Sequence, residues 1–134
     1  MLSVFPNMLA FGLLAPFLLR IALGLVFLSF GKYKLGKGHT NKAAFFDSLG
    51  WKPGAYVAIG IGIAELALGL LLVVGLYTQV AALASSLILI GALLLKKKSA
   101  DGIESSRGFL ALLLVIALSL IVSGAGAFAF DLPL

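Results

Sequence analysis

The sequence predicts an all-α integral membrane protein, a four-helix antiparallel bundle with a short interfacial helix in its first loop. Of the 134 residues, 62% are hydrophobic and only 11% are charged, whereas an average soluble domain has about 25% charged residues. The mean hydropathy is +1.19. Four apolar stretches approach the ~20 residues that a helix needs to cross a bilayer. We therefore expect one membrane domain over residues 1–134, with no room for a separate soluble catalytic domain.

The four predicted spans cover residues 8–30, 54–75, 78–95 and 108–126. Only two residues separate the second span from the third, so these helices are predicted to form a tight antiparallel hairpin in which Gly75 caps the second span. The first loop contains the segment "NKAAFFDSLGW", where Phe45, Phe46 and Leu49 fall on one side of a helix. This pattern predicts a short helix that lies flat at the membrane interface.

Basic residues concentrate in two loops. Every Lys and Arg except Arg20 lies in residues 31–53 or 96–107. In a protein with four spans these loops share one side of the membrane, and the positive-inside rule places them in the cytoplasm, with both termini outside. Because the loops account for the net charge of +5, we do not expect nucleic acid as a partner.

Residue types that carry redox or metal chemistry are scarce. The chain has no cysteine and one histidine, which excludes disulfides, thiol relays and iron–sulfur clusters. No metal-binding spacing, nucleotide loop or Ser-His-Asp order is present in the sequence. We therefore predict no metal site and no covalently bound cofactor, and any redox role requires a partner protein or a diffusible carrier such as quinone.

Two charged residues interrupt the apolar spans. Arg20 lies twelve positions before Lys32, and Glu65 lies thirteen positions after Lys52. At 1.5 Å per residue, both are then ~18–20 Å from the cytoplasmic edge. A charge near the bilayer centre costs about 3 kcal/mol on insertion scales, and such residues tend to pair inside a bundle. The sequence therefore predicts an ion pair between Arg20 and Glu65.

Small residues accompany both charges at helical spacing. Gly24 and Gly31 share a face with the arginine, and Gly62 and Gly69 share a face with the glutamate. Such faces let two membrane helices approach closely. Two interpretations of the ion pair stay open: a clamp that fixes helix register, or a polar site where a quinone head group or a proton meets the two charges.

A further carboxylate follows the last span. Asp131 comes after the segment "SGAGAFAF". A straight helix would bring Asp131 out on the outer side, whereas a break at Gly124 and Gly126 would let the tail fold back and offer the carboxylate to the bundle. The sequence leaves both possibilities open.

Three segments together resemble the DoxX family of small four-helix membrane proteins of bacteria and archaea. They are "LLRIALGLVFLSFGKYKL", "AELALGLLLVVGLYTQVAAL" and "SGAGAFAFD". The positions that match the family pattern are Arg20, Gly31, Lys34, Glu65, Gly69, Gly75, Thr78 and Asp131. The chain departs from the pattern at Phe30, where many members have His, at Gln79, where a basic residue is usual, and at Ala125, where proline is usual. Without that His, catalysis by this chain itself is less expected.

The resemblance implies a role beside redox enzymes. Members of the family are associated with quinol oxidase, thiosulfate:quinone oxidoreductase and oxidative-stress systems. We therefore expect a quinone-contacting or docking subunit in a bacterial or archaeal cytoplasmic membrane, with a soluble redox enzyme at the lysine-rich loops and with homo-oligomers favoured by the small-residue faces. Two alternatives remain, a small proton or solute transporter or channel and a purely structural scaffold; the substrate and electron donor stay open.

Overall fold

A computed structural model describes residues 11–12, 14–98 and 106–126, and the regular structure in this part of the chain is all helical. The helices are α1 (Leu14–Leu35), α2 (His39–Ser48), α3 (Gly54–Val74), α4 (Thr78–Lys98) and α5 (Arg107–Ser123). Helices α1, α3 and α4 are long and apolar enough to cross a membrane, and α5 is a shorter apolar helix of 17 residues. The prediction of an all-helical membrane protein is confirmed.

The first helix differs in its limits from the predicted span 8–30. Helix α1 begins at Leu14 and continues to Leu35, five residues beyond the predicted end. Pro16 lies in its first turn, where the missing N–H costs no helical hydrogen bond. The prediction stopped at the first lysines because they end the apolar stretch, but the helix itself continues through them with its hydrogen bonds intact.

The tight hairpin between α3 and α4 is confirmed. Gly75 has a left-handed conformation with φ 81° and ψ 37°, which glycine adopts without the steric penalty of a Cβ atom. The N–H groups of Gly75 and Leu76 both donate to the carbonyl of Leu71, at 2.8 and 3.0 Å. These bonds satisfy the end of α3, so that α4 starts only three residues after Gly75, at Thr78.

Helices α1 and α3 make the most extensive helix pair, and small residues bring them together. A Cβ atom on Gly31 would lie 2.6 Å from the carbonyl oxygen of Gly62, and one on Gly24 would lie 3.0 Å from that of Gly69. The predicted small-residue faces therefore form this interface. Helix α4 packs mainly on α5, and the two pairs meet through α1 with α5 and α3 with α4.

Helix α2 covers one end of the α1–α3 pair. Its residues Phe45 and Phe46 pack on Ala58 of α3. The Asp47 carboxylate accepts a 2.8 Å hydrogen bond from the N–H of Gly54, at the positive N-terminus of α3, where a carboxylate is favourable. The predicted short helix is present, and these contacts attach it to α3.

At the other end of the described chain, α5 ends at Ser123. Gly124 and Gly126 both have positive φ angles, 78° and 75°, so the helix stops where the sequence predicted that glycine could break it. Asp131 lies outside the described residues.

Candidate functional site

The carboxylate of Glu65 binds Lys34 rather than Arg20. The Lys34 ammonium donates to both carboxylate oxygens, at 2.9 and 2.8 Å. The two side chains are 14% and 4% exposed, so this ion pair is largely screened from solvent. The predicted pairing of Glu65 with Arg20 is wrong, although both residues are buried as expected.

The register of α1 against α3 explains the correction. Gly24 lies against Gly69 and Val73 of α3. Because the helices are antiparallel, Arg20, one turn before Gly24, faces the last turn of α3 rather than Glu65. The predicted pairing required Lys32 and Lys52 to lie at the same depth in the membrane.

Lys32 and Lys52 lie at different depths because α3 extends beyond the end of α1. Leu35, the last residue of α1, lies against Gly62, eight positions after the start of α3 at Gly54. Helix α3 therefore begins roughly 12 Å beyond the end of α1. That displacement places Lys34 near Glu65.

A cavity of about 280 Å³ adjoins the ion pair. Its aromatic lining residues are Phe30, Tyr33, Phe45, Phe46 and Trp51; its aliphatic lining residues, with one glycine, are Ile61, Ile88, Leu89, Gly91, Ala92, Leu95 and Leu110; its charged lining residues are Lys34, Lys42 and Glu65. An apolar cavity with a few convergent polar groups is the usual form of a small-molecule site in a protein.

The aromatic wall offers flat surfaces. The rings of Phe46 and Trp51 stack with centroids 5.7 Å apart and an interplanar angle of 4°. Phe45 lies beside Phe46 in a tilted arrangement, at 5.4 Å. The turn after α2 fixes this wall, because the N–H of Trp51 donates to the carbonyl of Phe46 at 3.0 Å. The wall is therefore formed by α2 and the turn that follows it.

Two ammonium groups lie near aromatic rings at the cavity. The Lys34 nitrogen is 5.6 Å from the centre of the Phe30 ring, and the Lys42 nitrogen is 6.0 Å from the centre of the Tyr33 ring. Both distances lie within the range of a cation–π interaction. Lys42 is 8% exposed although it is charged, because α2 turns it inward together with Phe45 and Phe46.

The opposite wall comes from α4. A Cβ atom on Gly91 would meet no heavy atom within 4 Å, so the absence of a side chain here leaves space in the cavity. Helix α2 packs on α3 and to a lesser extent on α1, and among the α4 side chains Leu95 reaches its Phe45–Phe46 cluster. The cavity thus lies between α2 and α4.

Comparison with known proteins gives a family. The DoxX family model matches residues 15–97 of the chain, more than half of its length. The chain belongs to the DoxX family. No curated protein and no solved structure matches it significantly. With its three long apolar helices, this DoxX protein is a multi-pass membrane protein, and the resemblance drawn from its motifs is confirmed.

The predicted site residues of this DoxX protein divide into two groups. Lys34 and Glu65 meet at the cavity. Arg20 and Thr78 are fully buried but do not line it, and the Arg20 guanidinium lies 5.4 Å from the centre of the Phe17 ring. Lys34 and Glu65 lie toward the end of the molecule where α1 stops, whereas Arg20 and Thr78 lie toward the end with the α3–α4 hairpin, where Thr78 begins α4.

Sequence reasoning missed several lining residues of the DoxX cavity. Lys42 was counted only among the charges of the first loop, and neither Tyr33 nor Trp51 was predicted to belong to a site. A signal for Lys42 was present, because it shares one helical face with Phe45 and Phe46. Gly91 carried no comparable signal. In the described part of the chain, no group of three or more His, Asp or Glu residues could hold a metal ion.

Proposed function

We propose that this DoxX protein is a membrane subunit that binds a quinone head group in the cavity and presents it to a redox partner. The observation that carries the proposal is the combination of a buried ion pair, Lys34 with Glu65, and flat aromatic walls around one cavity. A quinone needs both features, since its ring is planar and apolar and its carbonyl oxygens accept hydrogen bonds.

The lining residues fit such a ring. Lysine ammonium groups are donors without acceptor capacity, so Lys34 and Lys42 are the candidates to hold the carbonyl oxygens. Phe45, Phe46 and Trp51 provide surfaces for the ring, and aromatic rings attract each other in offset or edge-on arrangements. A bound quinone supplies reversible two-electron chemistry; the role of this chain is to bind and orient it.

The size and place of the cavity agree with a lipid-borne ligand. A volume of about 280 Å³ is at the lower end of the range for small-molecule sites and suits a ring rather than a complete prenylated molecule. The cavity lies between α2 and α4, which pack little on each other. In this proposal the prenyl tail extends from that gap into the bilayer.

The proposal includes an arrangement in the membrane. Helices α1, α3, α4 and α5 form an antiparallel four-helix bundle, and α2 lies at the interface. The basic residues favour placing residues 31–53 and 96–107 in the cytoplasm. The cavity then opens near the cytoplasmic surface, and the lysine-rich loops are the docking surface for a soluble redox enzyme.

The single tryptophan of the chain provides the test. Trp51 is the only Trp and lines the cavity, so its fluorescence reports on a ligand there. We expect a short-chain menaquinone to quench it saturably in nanodiscs. Gly91→Phe places a ring in the open space and is expected to weaken binding about tenfold or more.

Gly60→Phe is the matched control for this experiment. Gly60 also has open space around it, but it is exposed and does not line the cavity. It is expected to bind the quinone like the unmodified protein. Saturable quenching that is identical in Gly91→Phe and the unmodified protein would contradict the proposed site.

A further inference from the structure

The carboxylate of Glu65 retains hydrogen-bonding capacity at the cavity. A carboxylate has roughly four acceptor positions on its oxygens. In the described part of the chain, each oxygen of the Glu65 carboxylate accepts one hydrogen bond, in both cases from the Lys34 ammonium. Roughly half of the acceptor positions are therefore left over, and Glu65 lines the cavity. A ligand that carries a hydrogen-bond donor can occupy them.

The Lys34 ammonium offers the complementary group. An ammonium has three N–H donors and no acceptor, and two of them suffice for the bonds to Glu65. One N–H is then left for an oxygen atom of a ligand. The ion pair therefore presents both an acceptor and a donor to the cavity, whose other lining residues are mostly aromatic or aliphatic.

Burial makes the acceptor capacity of Glu65 important. Glu65 is buried, and Lys34 is largely so. A ligand that fills the cavity separates the carboxylate from water, and a buried acceptor that lacks a donor costs free energy, most of all when it is charged. A ligand with a hydroxyl group supplies that donor, and hydrogen bonds from a hydroxyl group to a carboxylate are short and strong. A ligand that has only acceptors does not compensate the carboxylate.

The two oxidation states of a quinone differ in this respect. The oxidised form has carbonyl oxygens, which accept hydrogen bonds and donate none, whereas the reduced form, the quinol, has hydroxyl groups, which do both. The Lys34 ammonium can donate to an oxygen of either form. The Glu65 carboxylate can accept a hydrogen bond from the quinol alone.

We infer that the cavity prefers the quinol over the quinone, and that the Glu65 carboxylate recognises the quinol by accepting a hydrogen bond from one of its hydroxyl groups. The inference rests on the proposed function, since it concerns the same cavity. It names the oxidation state that the site selects, and it makes Glu65 the residue that distinguishes the two states.

This preference sets the direction of electron transfer. Tighter binding of the reduced form raises the reduction potential of the bound couple, by about 30 mV for each factor of ten in affinity when two electrons are transferred. The bound quinone is then a stronger electron acceptor than quinone that is free in the bilayer. The soluble partner is therefore an enzyme that delivers two electrons to the quinone, while water supplies the two protons that complete the quinol.

The affinities of the two forms test the preference. A short-chain menaquinone and its quinol are titrated under argon into phosphatidylcholine nanodiscs that contain the protein, and empty nanodiscs correct for partition into lipid. Calorimetry measures the binding. We expect the quinol to bind roughly tenfold to a hundredfold more tightly, the range of one hydrogen bond to a charged group. A redox titration is expected to place the bound couple about 30–60 mV above the couple in empty nanodiscs.

Glu65→Gln assigns the preference to the carboxylate. Glutamine has nearly the same shape as glutamate, but it is uncharged and its amide N–H groups donate hydrogen bonds. The variant is expected to bind the quinol about tenfold more weakly and the quinone no more weakly, because the amide can donate to a carbonyl oxygen. A merely structural role of Glu65 would weaken both forms equally.

Asp47→Asn is the matched control. Asp47 is exposed and does not line the cavity, and the side-chain oxygen of asparagine can still accept the hydrogen bond from the N–H of Gly54. This variant is expected to bind both forms like the unmodified protein. If Glu65→Gln does not fold, as judged by thermal unfolding, Glu65→Gln combined with Lys34→Gln replaces it, because the double variant strands neither charge.

The outcomes separate this inference from the proposed function. Equal affinity for the two forms, or tighter binding of the quinone, would overturn the inference and leave the quinone site standing. A preference for the quinol that persists without the Glu65 carboxylate would overturn the assignment to this residue. If neither form binds, the proposed function fails, and the inference fails with it.

Discussion

Lys34 and Glu65 show how a charged pair is accommodated between two apolar helices. Their atoms are close enough for two charge-assisted hydrogen bonds, which are stronger than bonds between neutral groups. A buried pair of this kind is often no more stabilising than apolar residues of similar volume, yet removing one partner is strongly destabilising because it strands the other charge. The pair therefore ties α1 to α3 whether or not a ligand binds beside it.

The first prediction concerns the Lys34 ammonium when its carboxylate partner is removed. Glu65→Leu leaves the Lys34 ammonium without its carboxylate, and we expect a loss of up to about 3 kcal/mol, the lower end of the range for buried pairs, because Lys34 retains some exposure. Adding Lys34→Met to this variant is expected to restore most of the loss. Unfolding in mixed micelles measures both effects.

Lys32→Met is the control for this comparison. Lys32 lies on the same turn of α1 but is exposed, and exposed charges contribute little to stability. If Glu65→Leu costs no more than Lys32→Met, the ion pair is not the buried contact described here.

At the residue level, the sequence identified the right residue types but not their partners. Arg20 and Glu65 stood out because charges are expensive in hydrocarbon, and Lys34 stood out through the family resemblance. The cation that pairs with Glu65 is determined by the axial register of α1 against α3. Local sequence does not encode this register. Lys34 was placed in the first loop, beyond the predicted span 8–30, whereas α1 continues through it and brings it to the carboxylate.

At the level of elements, prediction was most successful where local chemistry decides. Gly75 ends α3 because a left-handed residue is needed there, and the small faces of α1 and α3 were readable from their spacing. The register of these faces could not be predicted from the sequence, since it depends on which glycine of one helix contacts which backbone segment of the other. Gly24 against Gly69 and Gly31 against Gly62 fix that register.

The close approach of α1 to α3 leads to a prediction about glycine. Gly31→Ala would place a Cβ atom 2.6 Å from the Gly62 carbonyl oxygen, a backbone atom that cannot move independently of its helix. We expect the helices to separate locally, with a loss of about 1–3 kcal/mol, as in other overpacked interiors. Thermal unfolding and the mobility of a spin label on α3 measure the change.

Gly60→Ala provides the opposite case. Nothing lies within 4 Å of a Cβ atom at Gly60, so the only expected effect is the higher helix propensity of alanine, up to about 1 kcal/mol in favour of the folded state. Equal destabilisation by both substitutions would mean that glycine flexibility, rather than close packing, explains the role of Gly31.

At the level of the whole molecule, composition predicted the helical membrane fold but could not predict the cavity. The cavity requires Lys42 from α2, Trp51 from the following turn and Gly91 from α4, which are far apart in sequence. No single segment shows a pattern for it, and Gly91 in particular contributes by having no side chain. The family match over residues 15–97 nevertheless includes nearly all of the lining residues.

The membrane orientation can be tested on the whole molecule because the chain has no cysteine, so single cysteines can be introduced without a background. Lys37 lies between α1 and α2, and Tyr77 lies in the α3–α4 hairpin at the opposite end of α3; both are exposed. The positive-inside rule places Lys37 in the cytoplasm and Tyr77 outside. In intact spheroplasts, an impermeant maleimide is therefore expected to label Tyr77→Cys and to leave Lys37→Cys unlabelled until the membrane is opened. The reverse pattern would place the cavity at the outer surface, where the lysine-rich loops could not receive a cytoplasmic enzyme.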